Sequence, residues 1–180
     1  MILKSNNTQK TILICLFMII GFSSSAQTTR ITDGDYEARK LFIHNFMKYI
    51  RWPNEEFGQD FLIAVVDNKK MYDILYKQHN NTNYRGRKVI VKNYRSVNEL
   101  PKCSILYLPK EHSDSFDLVM KKIRNHSTLL VSDSKGLGLK GSGINFNQNK
   151  KVLKFELNAA SLESANLKVS NLLKGVAILL

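Results

Sequence analysis

Cysteine, proline and acidic residues are all scarce in this chain of 180 residues, which has two cysteines, three prolines and 15 acidic residues against 27 basic ones. Cys15 falls in an apolar run near the start, so the body of the chain is left with Cys103 alone, and an internal disulfide there is excluded. With three prolines and nine glycines there is no linker-like tract, and neither a repeat nor a low-complexity segment marks an internal boundary. The longest apolar run, residues 11–22, falls short of the roughly 20 residues needed to cross a hydrocarbon core, which excludes a membrane anchor there. No Gly-Lys-Ser/Thr is present to form a phosphate-binding loop. His44, His79, His112 and His126 are scattered without metal-ligand spacing, so neither a metal nor a cofactor is expected. Cys103 opens an apolar run and reads as a free, buried thiol.

What is present begins with an export signal. Lys4 and Lys10 precede the run at 11–22, and Ser23-Ser24-Ser25-Ala26 comes after it, the charged, apolar and small-residue order of a secretory signal cleaved after Ala26. A lipoprotein signal fails because Ile14 precedes Cys15 where a small residue is needed. The expected organisation is a signal peptide at 1–26, a flexible leader at 27–34 and one folded domain at 35–180. About 150 residues are enough for such a domain to bury its own core. The formal charge is +12, or +10 once Lys4 and Lys10 are removed. An exported basic domain without a nucleic-acid motif meets anionic lipid, envelope polymers or acidic protein surfaces rather than nucleic acid. Plain solubility is the simpler account of the same charge.

Along the domain, residues 35–51 read as a helix stopped by Pro53. Leu41, Phe42, Ile43, Phe46, Met47, Tyr49 and Ile50 form a wide apolar arc, leaving a polar stripe of Lys40, His44, Lys48 and Arg51. That stripe is the candidate partner-binding surface. Residues 61–66 form a continuous apolar run, as in a strand buried on both faces, and 69–78 read as a helix. A turn at Gly86 leads into a strand at 88–94. Further strands lie at 104–108 and 128–131, with a helix at 113–125 between them. Residues 143–147 and 151–157 read as a hairpin, Asn158 as a cap for the segment after it, and Val169, Leu172, Leu173, Val176 and Leu180 as an amphipathic helix on the sheet. The alternation predicts a single α/β domain with a mostly parallel sheet flanked by helices, a C-terminal hairpin and a terminal helix.

Two patterns mislead. Gly136, Gly138 and Gly141 match a dinucleotide fingerprint, but that fingerprint needs a helix after its last glycine, and here the strand-like 144–146 comes next. The glycines read as a turning segment. Ser132 and Asp133 are adjacent, but no Gly-x-Ser-x-Gly elbow surrounds the serine, and no acid/base pair has credible spacing. No catalytic residue is assigned, and an enzyme is not expected.

From Tyr36 onward the order of stations resembles the YfiR-like family of periplasmic signalling regulators. The stations are Asn45, Phe46 and Trp52-Pro53 in the first helix region, the strand at 61–66, Gly86-Arg87, Cys103, Leu129 to Asp133, Asn145-Phe146, and Phe155 to Asn158. The resemblance implies structural roles for Asn45, Phe46, Trp52, Pro53, Asn145, Phe146 and Asn158. It also implies a compact exported α/β domain that binds and modulates a membrane-bound signalling protein, a diguanylate cyclase or a sensor kinase. Some relatives use cysteine pairs for folding and redox sensitivity; with Cys103 alone, this chain departs from that pattern. The expected partner is thus the periplasmic domain of an inner-membrane sensor or cyclase, with an anionic membrane surface as a further contact and a homodimer left open. The alternative is a periplasmic small-ligand or anionic-lipid binding module without a signalling partner.

Overall fold

The computed structural model describes residues 32–53, 59–149 and 152–180. The expected export signal and the expected cleavage after Ala26 lie outside them. In chain order the elements are α1 (Asp33–Tyr49), β1 (Ile50–Arg51), β2 (Phe61–Val66), α2 (Lys69–His79), β3 (Asn83–Tyr84), β4 (Arg87–Tyr94), β5 (Ile105–Leu108), α3 (Phe116–Ile123), β6 (Leu129–Ser132), β7 (Ile144–Asn149), β8 (Val152–Leu157), α4 (Ala159–Ser164), β9 (Lys168–Val169), α5 (Asn171–Val176) and β10 (Ile178–Leu179). Residues 32–180 form one compact unit.

Eight strands make one mixed sheet in the order β10-β8-β7-β6-β5-β2-β4-β3, and β1 pairs separately with β9. The pairs from β7 through β6, β5 and β2 to β4 are parallel, while β7–β8 and β3–β4 are antiparallel. The central strands are buried on both sides, as their unbroken apolar runs require. Ala64, Leu106 and Leu130 share a register row and pack with Phe116 and Val119 of α3 on one face. Their neighbours point to the opposite face, where Tyr107 meets α1 through Asp133 and Arg39. Arg85 and Gly86 both take positive φ, 52° and 87°, in the two-residue turn that closes the β3–β4 hairpin. Glycine suits the second of these positions because it has no Cβ to clash there.

The limits of α1 differ from the sequence expectation at both ends. Thr32 and Asp35 form a reciprocal capping box: the Thr32 Oγ1 accepts from the Asp35 backbone N–H at 3.4 Å, and the Asp35 carboxylate accepts from the Thr32 N–H at 2.8 Å. The helix therefore starts at Asp33, inside the stretch expected as leader. It ends at Tyr49 because Ile50 and Arg51 turn extended to pair with Val169 and Lys168. Its buried stripe is Tyr36, Arg39, Ile43, Phe46 and Met47, so the apolar arc is narrower than expected and Leu41 is exposed.

The C-terminal segment also departs from expectation. Val169 belongs to β9, the helix α5 after it spans six residues capped by Ser170, and β10 then lies parallel to β8. Only Leu173 of α5 is buried, whereas Leu172 and Val176 are each 72% exposed. The apolar spacing at 169–180 thus belongs to three short elements, whose backbone hydrogen bonds to Tyr49 and Leu157 override helical continuity.

Candidate functional site

Lys40, His44 and Lys48 succeed one another along α1, with His44 and Lys48 exposed. Arg51 lies beyond the helix end on β1, also exposed, and is not part of the helical stripe in which its spacing placed it. Lys40 is engaged with Glu37, and the Lys48 ammonium lies 5.1 Å from the centroid of the Tyr49 ring. The β1–β9 pairing sets Arg51 directly opposite Lys168. Tyr84, whose hydroxyl donates to the Ile50 carbonyl at 3.3 Å, feels the charges of both Arg51 and Arg85. The basic surface beyond α1 therefore includes Arg85 and Lys168. Neither is identifiable from helical periodicity, because pairing across distant parts of the chain brings them to Arg51.

The His44 ring stacks on His79 with centroids 5.5 Å apart and 16° between planes. His79 is buried, and its Nε2 has no hydrogen-bond partner among the described residues. Burial, then the positive fields of His44 and Lys40, pushes its pKa down to about 4.

Beneath α1 lies a polar network that no pattern in the sequence announces. The Arg39 guanidinium binds the Asp133 carboxylate through two bonds, Nε to Oδ2 at 2.8 Å and Nη2 to Oδ1 at 2.9 Å. Nη1 donates to the Asp35 carbonyl, the Tyr107 hydroxyl donates to Asp133 at 2.9 Å, and the guanidinium lies 5.4 Å from the centroid of the Phe146 ring. Burial, and then the Asp133 charge, hold the Tyr107 hydroxyl well above its ordinary pKa, so it serves as a donor. Next to Asp133, the Ser132 hydroxyl donates to Asn145 Oδ1 at 2.7 Å. Ser132 and Asp133 are thus both held within the core by partners other than histidine.

The residues singled out by family likeness occupy varied positions. Phe46 and Phe146 are buried and pack with Phe42 and Phe155 at centroid distances of 5.2–6.2 Å. Asn145 is buried, and its Nδ2 donates to Glu156. Asn158 caps α4, accepting from the Ser161 N–H and donating to the Gly138 carbonyl. Trp52 is half-buried, its Nε1 donating to the Ser104 carbonyl at 3.0 Å and its ring edge-on to Phe61. Asn45 and Pro53 are exposed. The glycine triplet leads directly into β7 with no helix after Gly141. Gly138 is tightly enclosed: a Cβ there would lie 2.6 Å from the Glu156 carboxylate and 2.7 Å from Leu180.

On the α3 face of the sheet, an open groove of about 810 Å³ runs between α3, α4 and the turn at 139–141. It is lined by Lys121, Arg124, Lys140, His126 and a single carboxylate, Asp117, around Met120, Leu130 and Leu162. No group of three or more metal-ligating side chains occurs among the described residues.

A comparison with known families matches residues 36–177 to the YfiR/HmsC-like description. The chain belongs to the YfiR/HmsC-like family. That family is known for periplasmic regulators of signalling. No curated protein matches the chain. Among solved structures, the chain is similar to a conserved domain protein from Vibrio cholerae O1 biovar El Tor. The TM-score is 0.58 at 9% identity, and the match covers 80% of this chain and 59% of that one. A likeness at that identity concerns the fold alone. No helix among the described residues is long and apolar enough to cross a membrane.

As a YfiR/HmsC-like domain, this chain keeps Cys103 free and packed with Val97, Leu106 and Val119. Burial pushes its thiol pKa up to about 12. The folded domain is expected to resist iodoacetamide at pH 8 for hours and to be labelled within minutes in concentrated urea. Mass spectrometry of the two samples checks this, and rapid labelling of the folded protein would contradict the packing described.

Proposed function

We propose that this chain is an exported periplasmic regulator that binds the periplasmic part of a membrane-bound signalling protein, a diguanylate cyclase or a sensor kinase, and modulates its output. The family match over residues 36–177 carries this reading. The export signal at 1–26 agrees with it, as does the placement of Ser132 and Asp133 inside the core rather than in a cleft. The docking surface is the basic one at the end of α1: His44, Lys48 and Arg51, with Lys168 and Arg85 alongside. Its charge suits an acidic face on the partner, where exposed cations act mainly by speeding and orienting encounter.

The test is a crosslinking pull-down of the tagged mature domain from envelope membranes of its own host, read by mass spectrometry. The expected result is one enriched membrane protein with a periplasmic domain, reduced about tenfold or more in a Lys48→Glu, Arg51→Glu, Lys168→Glu triple variant. Recovery of the same protein at equal yield by the variant would remove this surface from the interface. No enriched protein, together with no signalling phenotype on deletion, would overturn the regulator reading.

A further inference from the structure

The groove between α3 and α4 lies on the face of the sheet away from α1. Lys121, Arg124 and Lys140 reach it from two separate segments, α3 with its C-terminal turn and the turn before β7. None of the three makes an ion pair or side-chain hydrogen bond among the described residues, whereas the adjacent Lys122 is spent on the Asn98 carbonyl. Asp117, the only carboxylate lining the groove among the described residues, is likewise unpaired among them. Three cations against one carboxylate leave an uncompensated charge of two, which matches a dianion better than a carboxylate monoanion.

The remaining wall is apolar. Met120, Leu130 and Leu162 line it, and Leu139 stands 77% exposed at the rim. At about 810 Å³ the groove is far larger than a bare phosphate needs, and it falls within the range of sites that hold small organic ligands. Gly143 lets Leu162 pack directly on the backbone in this wall, since a Cβ there would approach Leu162 to 2.8 Å.

We infer that this groove binds an organic phosphomonoester, with the phosphate held by Lys121, Arg124 and Lys140 and an apolar body laid against Met120, Leu139 and Leu162. The ligand chemistry is shared by a soluble phosphomonoester and by the headgroup and upper chain of phosphatidic acid. The inference is independent of the docking role of α1, because the two surfaces lie on opposite faces and share no residue.

The test is a titration of the mature domain with hexyl phosphate, monitored by calorimetry and by amide NMR. Saturable binding is expected, with shifts confined to α3, α4 and the turn at 139–141. Lys121→Glu with Arg124→Glu should weaken it about tenfold or more, since two charge-assisted contacts to the phosphate are replaced by repulsion. Ala160→Trp, which fills the groove from the exposed side of α4 without altering its charge, should weaken it similarly. Binding that survives both variants, or no saturable binding at all, overturns the inference. Inorganic phosphate should bind distinctly more weakly than hexyl phosphate, and equal affinity would remove the apolar wall from the site. Vesicles containing phosphatidic acid separate the two sources. Capture that is lost with Ala160→Trp identifies a lipid ligand. Capture indifferent to that variant while hexyl phosphate fails to bind identifies general surface attraction and overturns the site.

Discussion

Replacing Asp133 by alanine should lower the unfolding free energy of the domain by about 3–5 kcal/mol, a large share of the stability of a domain this size. The magnitude reflects the groups that lose their partner. Arg39 is 1% exposed, and without Asp133 its guanidinium is left with the Asp35 carbonyl as a hydrogen-bond partner, the Phe146 ring as a contact and the more distant charge of Asp35. The Tyr107 hydroxyl also loses its acceptor. A buried cation without its counter-ion costs far more than the pair itself contributes, because desolvation of both groups has already offset most of their attraction. Arg39→Met combined with Asp133→Leu and Tyr107→Phe should therefore recover most of the loss. Urea unfolding monitored by circular dichroism measures both variants. A loss below about 1 kcal/mol for Asp133→Ala would mean that water reaches the guanidinium and that the network does not organise the core.

The second large effect is acid sensitivity centred on His79. Its folded pKa, about 4, lies below the ordinary 6.5, so the unfolded chain takes up this proton first as pH falls. The contribution is fully present above about pH 6.5 and is lost as pH drops from 6.5 towards 4, to a total on the order of 3 kcal/mol. His44, stacked on the ring, and Lys40 both oppose protonation, so the neighbours reinforce burial instead of relieving it. His79→Leu also removes the unpartnered Nε2 from the core and should flatten this part of the stability profile. The check is the difference between wild-type and variant unfolding energies at pH 7, 6, 5 and 4, which cancels the carboxylates common to both. Parallel curves across that range would show that His79 is not responsible.

The middle of the fold was legible because its signals are local. Six consecutive apolar residues at 61–66 fit a strand covered on both faces, and Gly86 marks a turn, which the pairing of 83–84 with 87–88 makes a hairpin. Asn158 announces the helix it caps. Arg39 was hidden because an arginine reads as surface until its partner is known, and Asp133 stands 94 residues away. Arg51 was misplaced because its extended conformation is fixed by Lys168 and not by its neighbours in α1. The terminal segment misled through an accidental helical spacing of apolar residues. The groove was invisible for a related reason: each of its cations looks like an ordinary solvated lysine or arginine until two segments are folded side by side.

The contacts that hold α1 also bear on how the chain reaches its native state. Asp133, Phe146 and Phe155 pack against the helix, while Val169 pairs with the β1 residue at its end. Each of these partners lies far downstream, so α1 completes its packing only after the C-terminal strands have formed. Contacts of such long sequence separation slow folding and concentrate it into a late, cooperative step. A chain that emerges from a membrane channel beginning with its N-terminus would have to hold that helix, with Phe42 and Phe46 uncovered, until nearly the whole sequence had emerged.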